Sequence, residues 1–174
     1  MELFLVDKQA QLVECWKKEF KHFPEVKIIC EDILSVADNT VVSPANSYGF
    51  MDGGIDRIYL EYFGNGLQKI VMDEIAKLSD RYVPIGSSLV VSTKHKKIPY
   101  LILSPTMVTP GTTTAASGYH AMASTLKAAT MAASSIKRVF CPGLGTGIGQ
   151  VPYEEAAKEM ALAYQRWQKL KFEE

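Results

Sequence analysis

The chain has 174 residues, and its 19 basic side chains balance 19 acidic ones, so the formal net charge is zero. That balance excludes a protein that grips nucleic acid chiefly by neutralising phosphates, which takes a basic face. With 47% apolar residues the length predicts one domain, residues 1–174, able to bury a sizeable core.

In chain order, Leu3–Val6 predicts a short strand, and Asp7 is placed to cap the helix after it. Val13, Trp16 and Phe20 recur there at helical spacing. Val26–Cys30 and Thr40–Val42 predict the next two strands. Helices are expected near Asp56–Phe63 and Leu67–Leu78, with the glycines of Gly64–Gly66 as a stop and restart. Ser88–Ser92 and Tyr100–Leu103 read as strands joined by a turn whose KHKK (Lys94–Lys97) is a solvated tip. Ser117–Ala133 is Ala- and Met-rich and helical, Arg138–Cys141 is a last buried strand, and Pro152 suits the first position of a closing helix. Its inward stripe is Ala156, Met160, Tyr164 and Trp167, an expected core face.

Strands alternating with helices predict a three-layer α/β/α sandwich with a central mixed sheet. The three cysteines are odd in number and widely spaced, which suits buried thiols in a reducing compartment better than disulfides. The opening MELFLVDKQ shows no basic segment before a long apolar run, and no stretch is long enough to span a bilayer. A cytoplasmic protein off the membrane is expected. His22, His95 and His120 lack ligand-like spacing, and no metal is inferred.

Two segments stand out at the strand-to-helix edge where ligands gather in such folds. SPANSYGFMDGGID (Ser43–Asp56) and PGLGTGIGQVP (Pro142–Pro152) together hold seven of the twelve glycines. The second is not a dinucleotide fingerprint, since the third glycine would fall on Ile148, and no Gly-Lys-Ser/Thr makes it a Walker A loop. Both nevertheless lead from a strand into a helix, where free N–H groups bind anions without a cationic side chain. Two such loops face to face would enclose a diphosphate. Near them, Asp32 is either a helix cap or an acceptor for an amine such as adenine N6. Asn46 either braces its own turn or offers its amide to sugar hydroxyls, and Asp56 either caps a helix or takes a proton from water.

Glu31-Asp32-Ile33, Ser43-Pro44-Ala45-Asn46, Gly53-Gly54-Ile55-Asp56 and Gly143-Leu144-Gly145-Thr146-Gly147-Ile148-Gly149 occur in the order of the motifs of the macro domain family. The chain resembles that family over most of its length, and its loop wording is especially similar to the phage-tail-assembly-like subgroup. The resemblance implies a protein that binds ADP-ribose or a related nucleotide as ligand or substrate, with no separate cofactor. Asp32 would hold the adenine amino group, Gly53, Gly54 and Ile55 form one phosphate loop, and Gly145, Thr146, Gly147, Ile148 and Gly149 the other, with Ile33, Ala45 and Gly143 as further ligand-binding residues. Asn46 would orient the distal ribose, with Asn46 and Asp56 as the catalytic pair of a hydrolase acting on ADP-ribosylated protein or a small ADP-ribose ester. A non-catalytic ADP-ribose reader, or an assembly protein that keeps only the fold, are the other expectations.

Some positions depart from the family pattern. Ser43 stands where the motif has Asn, Pro44 replaces Ala, and Met51-Asp52 stands where hydrolytic members often have glycine. Arg57 is placed to pair with Asp56 and lower its basicity. The aromatic expected after the second loop's Thr-Gly is absent, and Tyr48 and Phe50 are the candidates to replace its stacking surface.

Overall fold

The computed structural model describes residues 1–173. Its elements follow the order β1 (Glu2–Asp7), α1 (Ala10–Glu19), β2 (Lys27–Cys30), α2 (Ile33–Val36), β3 (Thr40–Ser43), α3 (Gly54–Phe63), α4 (Gly66–Ala76), β4 (Leu89–Ser92), β5 (Tyr100–Leu103), α5 (Ala115–Met131), β6 (Arg138–Cys141) and α6 (Tyr153–Phe172). The strands form one sheet in the order β2-β1-β6-β3-β5-β4. Every pairing is parallel except β4 with β5, which is antiparallel as two strands joined by a short turn can be. The sheet is mixed, as the sequence predicts.

Both faces of this sheet are covered, which is why its strands read as continuous apolar runs. Successive side chains alternate between two cores. Leu3, Leu5, Val42, Ile102, Val139 and Cys141 point to one face and pack with α1, α5 and α6. Val6, Val41, Leu101, Leu103 and Phe140 point to the other, against residues of α3 and α4 such as Tyr59, Leu67 and Val71. Phe4 and Phe140 stack across β1 and β6 with ring centroids 4.3 Å apart. The expected inward stripe of the last helix is realised by Ala156, Met160 and Tyr164, while Trp167 is only partly buried.

Some local expectations are corrected. Asp7 belongs to β1, and the residue at the N-cap of α1 is Gln9, whose side chain makes no cap bond. Pro152 is the N-cap of α6 rather than its first helical residue. The single turn α2 is not among the predicted helices, because four residues carry no readable period, but Asp32 caps it as one of its two expected roles allows. Of the cysteines, Cys141 is buried, Cys15 is half-buried and Cys30 is exposed, so only one fits the expectation of a buried thiol.

Candidate functional site

The chain runs from β1 towards β2 on one side and from β3 towards β5 on the other, with β6 between them. The crevice outside the carboxyl ends of these parallel strands is where their loops diverge, the place such sheets reserve for ligands. A cavity of ≈ 550 Å³ lies there. Strand order fixes what a long ligand would meet. Asp32 and Ile33 stand at one end, then Asp7 at the end of β1, then the loop after β6, then the loop after β3, and at the far end Thr106, Met107 and Pro110 after β5.

The two glycine loops do face each other. Ile148 reaches across so closely that a methyl placed on Gly53 would lie 2.9 Å from its Cδ1, and one on Gly54 3.4 Å. Within the second loop the chain folds back on itself. Gly145 adopts φ +82°, a region that favours glycine, and a Cβ on Gly149 would come 2.5 Å from the carbonyl oxygen of Gly145. The N–H groups of Gly145, Thr146, Gly147, Ile148 and Gly149 donate to no acceptor among the described residues, nor do those of Gly53, Gly54 and Ile55 where α3 begins. All eight residues line the cavity. Unspent main-chain donors on both sides of one crevice are the kind of groups that bind anions without needing a cationic side chain.

Asp7 holds this loop in place, a role the sequence reading missed. Its Oδ2 accepts the N–H of Gly143 at 3.1 Å, and its Oδ1 accepts that of Gln9 at 3.0 Å. One carboxylate thereby ties the end of β1 to the start of the glycine loop.

Asp56 is not the helix cap. It lies in the first turn of α3, after the N-cap Gly53, and is 7% exposed. Ser43 Oγ donates to its Oδ1 at 2.5 Å, so the position that departs from the family motif is the one that holds the carboxyl. Burial pushes the Asp56 carboxyl up to about 7, against the lowering effect of the Ser43 hydrogen bond. The expected pairing with Arg57 does not occur. Arg57 turns along the outer face of α3 to Glu61, 3.3 Å away, and Asp56 is paired with no cation among the described residues. Tyr59, buried beneath, donates its hydroxyl to the carbonyl of Val42 at 2.9 Å.

Asn46 uses its amide on its own turn. Its Oδ1 accepts the N–H groups of Tyr48 (3.1 Å) and Phe50 (3.2 Å), and its Nδ2 donates to the carbonyl of Phe50 at 2.8 Å. One amide hydrogen remains for anything else. Asp32 likewise acts locally as the N-cap of α2, its Oδ1 accepting the Leu34 N–H at 3.0 Å, while its Oδ2 lies 3.8 Å from Lys8 Nζ. Ala45 is not part of the cavity wall. It points into the core beside Val41, and its neighbour Pro44 lines the crevice instead. Phe50 lines the crevice at 47% exposure, whereas Tyr48 stands against Tyr82, ring centroids 6.1 Å apart, outside it. Among the described residues no three of His, Cys, Asp and Glu gather where they could hold a metal ion. None of the described helices is long and apolar enough to cross a membrane.

The family model described as a macro-like domain matches residues 13–171. The chain belongs to that family. Two relatives of this macro-like domain are uncharacterized proteins. One from Aquifex aeolicus is 30% identical over 145 residues, covering 78% of each chain. The other, from Sulfurisphaera tokodaii, is 30% identical over 137 residues and covers 78% of this chain and 71% of its own. Among solved structures, the macrodomain of Mycobacterium tuberculosis DarG superposes with a TM-score of 0.65 at 20% identity, over 78% of this chain and 87% of its own. The Oceanobacillus iheyensis macrodomain with ADP does so with a TM-score of 0.63 at 18% identity, over 76% and 70%. A mutant of the same macrodomain with ADPR gives 0.61 at 16%, over 83% and 91%. At these identities the likeness is one of fold, and the macro-like domain shares that fold's α/β architecture.

Proposed function

We propose that this macro-like domain binds ADP-ribose, or a nucleotide built on it, with the diphosphate between the two glycine loops. The observation that carries the reading is the set of eight unspent N–H groups lining one crevice from both sides. They suit a diphosphate on a protein of zero net charge. Asp32 and Asp56 line opposite parts of the crevice, which supports a reading with Asp32 at the adenine and Asp56 at the distal ribose. The Oceanobacillus iheyensis macrodomain, which shares the fold, is known with ADP and, as a mutant, with ADPR.

On this reading the chemistry is hydrolysis of the linkage borne by the distal ribose. A carboxyl titrating near neutrality is half ionised there and can take a proton from water as it attacks the anomeric carbon. The departing group leaves with the electron pair of the broken bond and takes up a proton. Asn46, by bracing the turn between Ser43 and Asp56, keeps the ribose end of the crevice in shape. A second reading, a reader without chemistry, is favoured by one observation: the Asn46 amide is almost fully committed to its own loop.

Titration calorimetry with ADP-ribose and with ribose 5-phosphate tests the binding. Saturable binding of ADP-ribose, tighter than ribose 5-phosphate, is expected. No heat at millimolar ADP-ribose overturns the reading. Release of free ADP-ribose from an ADP-ribosylated peptide or ester then separates the hydrolase from the reader.

A further inference from the structure

In ADP-ribose one ribose joins the adenine to the diphosphate, and nothing has yet been assigned to it. In the crevice the end of β1 stands between β2, which leads to Asp32, and β6, which leads to the second glycine loop. That strand end brings Asp7 into the cavity wall.

Asp7 is fixed on both sides. Its carbonyl accepts the N–H of Glu31, just after β2, at 3.1 Å. Its carboxylate accepts the N–H of Gly143, just after β6, and that of Gln9. The main chain at Gly143 runs so close that a methyl there would lie 3.3 Å from Asp7 Oδ2. A group tied down at main chain and side chain has little freedom left to lose when a ligand arrives. Each carboxylate oxygen takes one N–H, and each can accept one hydrogen bond more.

Charge narrows the choice of ligand. Lys8 Nζ stands 3.8 Å from Asp32, whereas Asp7 and Glu31, which line the same end of the cavity, are paired with no cation among the described residues. A phosphate added to the ribose would meet two carboxylates. The two hydroxyls of an unmodified ribose offer two donors to two oxygens. Where a carboxylate reads ribose hydroxyls in a nucleotide site, acceptance of a 2′-phosphate takes a nearby arginine instead.

We infer that Asp7 accepts hydrogen bonds from the vicinal hydroxyls of the adenosine ribose, and thereby selects ADP-ribose over ADP-ribose that carries a 2′-phosphate. The inference rests on the ADP-ribose reading above. It gives Asp7 a ligand-reading role in addition to its hold on Gly143.

Three ligands test it by calorimetry on the full chain: ADP-ribose, its analogue lacking both hydroxyls of the adenosine ribose, and its 2′-phosphate. The wild-type protein should bind the dideoxy analogue about tenfold more weakly than ADP-ribose, and the 2′-phosphate on the order of a hundredfold more weakly. In Asp7→Asn, which removes the charge, both ratios should move towards one, by roughly tenfold for the phosphate. If Asp7 served only to anchor the loop, all three affinities would fall together and the ratios would stay. A dideoxy analogue or a 2′-phosphate that binds wild type as tightly as ADP-ribose, or ratios unchanged in the variant, overturns the inference while leaving ADP-ribose binding intact. The wild-type comparison decides the matter even where the variant fails to fold. Absence of binding by all three ligands instead removes the reading on which it rests.

Discussion

Ser43 and Asp56 are 13 residues apart in the chain, yet a 2.5 Å hydrogen bond joins them inside the protein. The end of β3 and the first turn of α3 are locked together by it. Because the serine donates, it favours the ionised carboxyl, opposing the burial that raises Asp56 to about 7. Ser43→Ala removes a hydrogen bond to a charged group, worth about 1.5–3 kcal/mol. The Asp56 titration should therefore move up by roughly 1–2 pH units. If Asp56 acts as a base, wild-type turnover rises with pH through about 7, and the variant's profile is displaced to higher pH. A carboxyl NMR titration that leaves Asp56 unmoved in Ser43→Ala would contradict this.

The same burial makes Asp56 a liability to folding at high pH. Its folded value, about 7, lies above the ordinary 3.8, so the folded state holds a proton that the unfolded chain has given up. Stability from this group is whole below the lower value, declines as pH rises between the two, and is gone above the higher. The full difference is about 4 kcal/mol. Asp56→Asn, which cannot ionise, should match wild type near pH 4 and exceed it increasingly up to pH 8 in thermal melts. Parallel curves over that range would show that Asp56 does not titrate as described.

Two glycines of one loop should respond unequally to the same substitution. Gly149→Ala drives a methyl onto the Gly145 carbonyl at 2.5 Å and Thr113 Cγ2 at 2.7 Å, and the loop has to open. A loss of about 1–3 kcal/mol of stability is expected, with loss of diphosphate binding. Gly147→Ala adds a methyl where nothing lies within 4 Å, and its stability should stay within about 0.5 kcal/mol of wild type. Chemical denaturation of the pair checks the contrast, and equal effects would refute the loop geometry.

Asp32 needs a substitution that spares its structural work. Ala would remove both the charge and the cap on Leu34, whereas Asp32→Asn keeps an oxygen to cap α2. If Asp32 reads the adenine amine, Asp32→Asn should weaken ADP-ribose by about 1–3 kcal/mol and leave ribose 5-phosphate unchanged. An equal loss for both ligands would place its role elsewhere.

The glycine loops were legible because bare main chain concentrated between a strand and a helix has few other uses, and the sheet because each strand is a short apolar run. What could not be read was side-chain partnership over distance. Asp7 anchors Gly143 from 136 residues away, and no local pattern announces such a bond. Arg57 beside Asp56 looked like its counterion, but helical spacing turns Arg57 to Glu61 instead. Ala45 lies off the cavity wall for a reason of period. The Thr106 N–H bonds its carbonyl at 2.9 Å, continuing strand-like geometry past β3, so neighbours alternate and Ala45 faces the core while Pro44 and Asn46 reach the crevice. Asn46 was placed at the site, but its commitment to Phe50 depends on a turn shape that only the fold supplies.

Anion capture by peptide groups also changes how the site must be looked for. Mutational scanning at Thr146 or Ile148 alters what hangs from the chain and leaves each amide where it was, so an unresponsive scan would say little. Deuterium exchange addresses the amides themselves: the N–H groups of residues 145–149 and 53–55 donate to no acceptor among the described residues, and slowed exchange on ligand binding confined to those two stretches would map the contact directly.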